Sequence, residues 1–184
     1  MENHSHMLRL CQPTEWVGKV QPAIVFDGND ETLHKHLIET ANALGEKMLD
    51  FGGYALAAPH CGLGGRMFVL RGHPDLIVCI NPKIVNQEGE TLAPENCPSH
   101  PGLIMRIKRA SEIRVRYQTV TGETITSTMN GLTARAFQQM LDVIDGVPFY
   151  KHASKFARDR AMTKWNKLRK QFSHFNVPKG KYHA

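Results

Sequence analysis

Three stretches of this 184-residue chain carry side chains that could do chemistry. GYALAAPHCG at 53–62 contains His60 and Cys61, ENCPSHPG at 95–102 contains Cys97 and His100, and FQQMLDVIDG at 137–146 contains Asp142 in a helical run. Thiols, imidazoles and carboxylates are the residue types of metal centres and of nucleophilic sites. Each stretch nevertheless reads like a catalytic motif with its working side chains exchanged. No Cys-x-x-Cys pair occurs, which argues against a structural zinc knuckle. A reactive Cys97 would need a base beside it, and none can be placed from sequence, so the thiol is read as a small buried hydrophobe.

The elements that position these stretches follow from periodicity. Asp30 can cap a helix running to about Phe51, with Leu33, Leu37, Ala41, Leu44 and Met48 at three- and four-residue steps and Gly52-Gly53 as its stop. The runs MFVL at 67–70 and LIVCI at 76–80 read as short strands, the second ending at Asn81-Pro82. From Glu112 the pattern changes to period two, Ile113, Val115 and Tyr117 against Arg114, Arg116 and Gln118, and Thr121-Gly122-Glu123 turns it into an antiparallel hairpin. A helix is predicted over about 132–144 and another over about 154–172, the latter with Ala161, Trp165, Leu168 and Phe172 on one stripe. Residues 1–29 are expected to be mostly irregular. Strands in the middle with helices at either end predict an α+β fold without regular βαβ alternation.

Length and a 41% hydrophobic composition suit one domain with its own core, expected over 1–171, followed by a basic tail at 172–184. No apolar run approaches the ~20 residues of a membrane span, and MENHSHMLRL lacks the apolar region of a signal peptide. Four scattered cysteines do not make a disulfide scaffold. The expected location is the cytoplasm or another reducing compartment, with an organelle or virion assembly also compatible. The net charge of +6 is uneven: residues 151–184 hold ten Lys or Arg and one acid, Asp159, whereas 1–150 hold thirteen basic and sixteen acidic residues. A polyanionic partner would therefore meet the C-terminal segment.

The order and spacing of the three stretches resemble the peptide deformylases, metallohydrolases that remove the formyl group from N-terminal methionine. That family carries Gly-x-Gly-Leu-Ala-Ala-Pro-Gln, then Glu-Gly-Cys-Leu-Ser, then a helix with Gln-His-Glu-x-Asp-His-Leu-x-Gly. Here the three become Gly53-Tyr54-Ala55-Leu56-Ala57-Ala58-Pro59-His60, Glu95-Asn96-Cys97-Pro98-Ser99 and Gln138-Gln139-Met140-Leu141-Asp142-Val143-Ile144-Asp145-Gly146. Asn81-Pro82-Lys83, Arg109 and Gly146-Val147-Pro148-Phe149 agree with the resemblance, which extends from about residue 9 to about 171. It implies a deformylase-like fold with antiparallel sheets around a central helix.

The resemblance also assigns the site. One Cys and two His on a single helix face would hold a divalent metal (Fe, Zn or Ni), and a Glu between the His would take the proton of the attacking water. Cys97 matches the thiolate ligand, but Gln139 and Val143 stand at the two imidazole positions and Met140 at the base. Oxyanion stabilisation falls to His60, which retains a donor, and to the backbone of Pro98, which has no N–H. No catalytic residue and no metal are therefore expected. A relocated metal site from Cys97, His60 and His100 is the weaker alternative, because the family motif turns the residue three after the Cys away from the site. Glu95, Ser99, Arg109 and Asp142 remain at family positions and are expected to be structural.

Lys155, Arg158, Arg160, Lys164, Lys167, Arg169 and Lys170 surround the apolar stripe of the last helix, and Phe175 and Tyr182 interleave the tail. In relatives the terminal helix is implicated in ribosome docking, which would offer RNA phosphates to these cations. No RNA-binding signature is present, and a solvated helix face is the plain competing reading. The sequence as a whole reads as a non-catalytic scaffold binding a protein or ribonucleoprotein assembly. The competing readings are an active or altered metal-dependent deformylase and a peptide-binding pocket without turnover.

Overall fold

In a computed structural model that describes residues 8–27 and 30–174, with side chains to residue 169, the two strand patterns have different causes. A five-stranded antiparallel sheet is built, in chain order, from β1 (Ala55–Ala57), β2 (Met67–Leu70), β3 (Ile77–Glu88), β6 (Glu112–Gln118) and β7 (Thr124–Asn130). Helix α2 (Glu31–Asp50) packs on β1 and β2 from one side, and α3 (Gly131–Ile144) packs from the other on β1, β2, β6 and β7. Where both faces are covered, a strand has no polar side. Met67 and Val69 of β2 join the α2 core while Phe68 and Leu70 join the α3 core, so MFVL is apolar throughout. Strand β6 has one covered face, hence its alternation of buried Ile113 and Val115 with exposed Arg114 and Arg116. Phe68 meets Phe137 of α3 edge to face, ring centres 5.1 Å apart, at the middle of the inner core.

Helix α2 begins as predicted: the Asp30 carboxylate accepts from the Leu33 N–H at 2.8 Å. Strand β3 differs from expectation, running on through Asn81-Pro82 to Glu88. Pro82 cannot donate to a ladder, and it sits in a register shift between Ile80 and Lys83. Asn81 takes a left-handed backbone there (φ 48°), a conformation Asn tolerates better than most residues. Its side chain is held by the Ile24 N–H at 2.9 Å, the Ile24 carbonyl at 2.7 Å and Gln118 Oε1 at 2.8 Å. Three strands are not predicted by periodicity: β1, and the separate antiparallel pair β4 (Thr91–Glu95) and β5 (Met105–Arg109). The N-terminal segment contains one turn of helix, α1 (Pro13–Trp16), whose Trp16 is buried. Just past the end of α3 stands Gly146 (φ 71°), where an added Cβ would lie 2.5 Å from the Lys19 backbone nitrogen, and Gly18 N–H donates to the Gly146 carbonyl at 2.8 Å.

The last helix, α4 (Lys155–His174), is attached through its apolar stripe. Trp165 is buried and its indole N–H donates to the Pro101 carbonyl at 2.8 Å, while Leu168 stays half exposed. The side chains of Lys170 and Phe172, and the tail with Phe175 and Tyr182, lie outside the described residues. Among the described residues no helix is long and apolar enough to cross a membrane.

The β4–β5 pair is fastened to α3 by a buried ionic network. Arg109 grips Glu95 through two parallel bonds, Nε to Oε1 at 2.9 Å and NH2 to Oε2 at 3.0 Å, and gives its remaining terminal nitrogen to Asp142. Arg135 of α3 reaches the same Glu95 at 2.6 Å. Glu95, Arg109 and Arg135 are each less than a tenth exposed. Removing the shared carboxylate would leave two buried guanidiniums without their anion, so Glu95→Ala is expected to cost about 3–5 kcal/mol. Chemical denaturation measures this directly, and an unchanged midpoint would show that water already screens the pair.

Candidate functional site

His60 is placed by a one-turn 3-10 helix, Ala58–Cys61, that follows β1 directly, with Pro59 fixing its first turn. The ring is fully buried, edge on to Trp16 at 5.5 Å between centres. Its tautomer follows from its partners. The Ala57 N–H lies 3.4 Å from Nδ1, which must then be an acceptor, leaving the proton on Nε2 to face Cys97 Sγ at 3.4 Å. An imidazole that already presents a proton to the sulfur cannot accept one from it at that nitrogen.

Cys97 leaves β4 two residues after Glu95 and is 4% exposed. Burial pushes its thiol up to about 11, an effect partly offset by the neighbouring Ser99 and His100 donors. Trp16 Nε1 donates in turn to Ser99 Oγ at 3.1 Å. The His100 N–H closes a turn onto the Cys97 carbonyl at 2.8 Å. His100 is 2% exposed, and its ring lies against Phe149, Tyr150 and Trp165, with centres 6.2, 5.2 and 5.7 Å away. Among the described residues its Nδ1 has no hydrogen-bond partner.

On α3, Gln139 turns its amide outward and donates to the Asn96 carbonyl at 2.6 Å. Met140 and Val143 are buried members of the inner core, at 3% and 2% exposure. Gln138 clamps Ala110, accepting from its N–H and donating to its carbonyl, both at 3.0 Å. Asp142 shares Arg109 with Glu95 and meets His152 Nε2 at 2.8 Å, so the retained acids are absorbed in structure. Among the described residues no three His, Cys, Asp or Glu side chains converge to hold an ion.

Of the basic residues of α4, Arg169 comes nearest to these groups, through Trp165. Lys155, Lys164 and Lys167 are exposed, Arg158 is half buried near Asp159, and Arg169 stacks its guanidinium 4.8 Å from the Trp165 ring centre. Sequence reasoning missed Arg135 and the Trp16–Ser99 bond. Arg135 could have been found, since it sits four residues before Gln139 between two alanines on the inner face of the helix. Trp16 could not, because nothing local ties residue 16 to residue 99.

Burial holds both rings in their neutral form. His60 is lowered to about 3, by burial and then by His100; His100 is lowered to about 4, by burial and then by Arg169. Both folded values lie below the ordinary 6.5, so the unfolded chain binds more protons as pH falls through that window. Stability from these groups is complete above about 6.5 and declines toward acid, by up to about 1.4 kcal/mol per pH unit for each proton. Urea midpoints should fall between pH 7 and pH 5; equal midpoints would show that the rings are hydrated.

Comparison with known proteins follows the same outline. A model of the polypeptide deformylase family matches residues 19–159. The chain is 35% identical over 130 residues to a peptide deformylase of Thermotoga petrophila, covering 70% of this chain and 75% of that one. It is 34% identical over 154 residues to a peptide deformylase-like protein of Agrobacterium fabrum, covering 83% and 90%. Among solved structures, the peptide deformylase of Legionella pneumophila superposes with a TM-score of 0.79 at 27% identity, covering 93% of this chain and 99% of that one. The enzyme of Thermus thermophilus gives 0.77 at 30% identity, covering 91% and 96%.

Proposed function

The chain belongs to the peptide deformylase family, and from that premise we propose that it is a non-catalytic member, a retained scaffold that acts by binding a partner within a larger assembly. One observation carries this reading. The two helix positions where the family's imidazoles belong hold Gln139, whose amide is spent on the Asn96 carbonyl, and Val143, whose isopropyl group is packed in the core. A thiol, an amide engaged elsewhere and a hydrocarbon are not a donor set for Fe, Zn or Ni, so the residues present do not fit the family's metal.

The rest of the site supports the same conclusion. Met140 has no group to take a proton, and a lost general base costs about 10²–10⁴ in rate. Pro98 offers no N–H, and one lost oxyanion donor costs about 10²–10³. His60 keeps one N–H, but it faces Cys97 rather than open space. An altered hydrolase built on Cys97, His60 and His100 would need both rings and the sulfur to face one point, whereas His100 lies among Phe149, Tyr150 and Trp165.

The double substitution Gln139→His with Val143→His tests the reading. Restoring two imidazoles is expected to give metal capture with at least about 10²-fold less deformylation of formyl-Met-Ala-Ser than an active relative, since the base and the Pro98 donor stay absent. Robust turnover by the double variant, or by the parent, would remove the non-catalytic reading.

For the partner, the exposed cations of α4 support a polyanionic surface such as RNA in a ribonucleoprotein. Replacing Lys155, Lys164 and Lys167 with Gln should weaken association with a model RNA duplex and lower the slope of log affinity against log salt by about 0.9 for each phosphate no longer neutralised. An unchanged slope would make these residues a solvated face only.

A further inference from the structure

Strand β7 (Thr124–Asn130) forms one edge of the five-stranded sheet, and among the described strands it pairs with β6 alone. The register is unbroken from Gln118↔Thr124 to Glu112↔Asn130. At the two ends of this ladder the Thr119 N–H donates to the Glu123 carbonyl at 2.9 Å and the Gly131 N–H to the Ser111 carbonyl at 3.1 Å. Antiparallel bonds alternate, so positions 125, 127 and 129 direct their backbone groups to β6 while Thr124, Thr126 and Thr128 turn theirs outward. Those three are exposed, and among the described residues no hydrogen bond reaches that outer side. An open edge is a template for a further strand, and proteins blunt theirs with proline, charge, bulges or brevity. The other edges of this chain are treated so: β1 has three residues, β4 carries Pro94, and β5 alternates exposed Arg106 and Lys108 with its buried positions. Strand β7 has none of these devices. It is seven residues long, uncharged, and rich in threonine, a type that favours strands.

We propose that β7 is the surface through which two copies of this chain associate, the two strands running antiparallel about a two-fold axis at Ser127. The strand's own sequence favours a second copy as the occupant. About that axis Thr126 opposes Thr128 of the second copy and Ile125 opposes its Met129, so hydroxyl meets hydroxyl and apolar meets apolar. Moving the axis to Thr126 or Thr128 would set Ile125 or Met129 against Ser127 instead. The backbone agrees with this register: Thr126 and Thr128 present outward groups that satisfy each other, and Ser127, bonded inward, meets its own copy as a non-hydrogen-bonded pair. Because the strand is neutral, no like charges face each other, whereas β5 or β6 paired with itself would oppose arginines and lysines. Ile125 is half buried in one copy and gains cover from Met129 of the other. The inference is independent of whether the chain is catalytic.

Light scattering of the full chain over roughly 1 μM to 1 mM, for the parent and Thr128→Pro, tests the pairing. The Thr128 N–H points outward, so proline there removes a bond to the second copy and none to β6. The parent should reach twice the mass of one chain within that range, and Thr128→Pro should associate at least about tenfold more weakly at an unchanged melting temperature. A parent that stays monomeric throughout, or a dimer indifferent to the proline, overturns the proposal. Ser127→Cys and Thr126→Cys read the register without relying on the proline variant. Residues opposed in a non-hydrogen-bonded pair approach to about 4.5 Å between Cα atoms, within disulfide reach, and the native cysteines are buried. With glutathione disulfide as oxidant, Ser127→Cys should give a covalent dimer on a non-reducing gel and Thr126→Cys should not. Equal cross-linking of the two, or none in Ser127→Cys, overturns the two-fold register. Protection of β7 amides by an added extended peptide, in a parent that remains monomeric, assigns the edge to a foreign strand and overturns self-pairing.

Discussion

One carboxylate organises the region where chemistry would occur. Glu95 is shared by Arg109 from β5 and Arg135 from α3, with all three side chains buried. A buried charge is tolerable only when paired and hydrogen bonded, so the three elements that carry these groups cannot separate without exposing an unmatched ion. Asp142 extends the constraint to the far end of α3 through the third Arg109 nitrogen. In a metal enzyme of this outline the ion itself would cross-link the helix to the Cys97 segment. In this chain guanidinium, carboxylate and the Gln139 amide tie α3 to residues 95–96.

Around that anchor the chain keeps the architecture of its family, with Met140 and Val143 of α3 buried in the inner core. Val143 and Met140 face the same apolar cluster as Phe68 and Phe137. Each apolar side chain fully buried there contributes about 1.5–3 kcal/mol, whereas an unpaired imidazole in the same place would carry a desolvation cost. On the proposed non-catalytic reading, hydrocarbon at these positions favours the fold. His60 and Cys97 lie side by side, 3.4 Å apart, and burial favours the neutral form of both.

How much of this can be read in the sequence follows from the range of the forces involved. Periodicity is local, so α2, α3, α4 and the β6–β7 hairpin are all legible, and Asp30 announces its own capping bond. Strand β3 reads short because Pro82 looks like a stop, and only the Asn81 contacts with Ile24 and Gln118, distant in sequence, let the strand continue. The three-residue β1 and the β4–β5 pair have too little alternation to register. At the site, the identities of residues 97, 139, 140 and 143 are plain, since a motif with a missing donor is visible one residue at a time. Arg135 is marked by its place between two alanines on the inner face of α3, but its bond to Glu95 is not legible, because that partner lies forty positions earlier.

The account turns on the inability of a thiol, an engaged amide and an isopropyl group to grip a cation. Anomalous diffraction from crystals of the native protein grown in excess Ni²⁺ or Zn²⁺, recorded at the metal absorption edge, addresses this most directly. The expected map has no peak within bonding distance of Cys97 Sγ. A fully occupied metal peak on that sulfur would contradict the account.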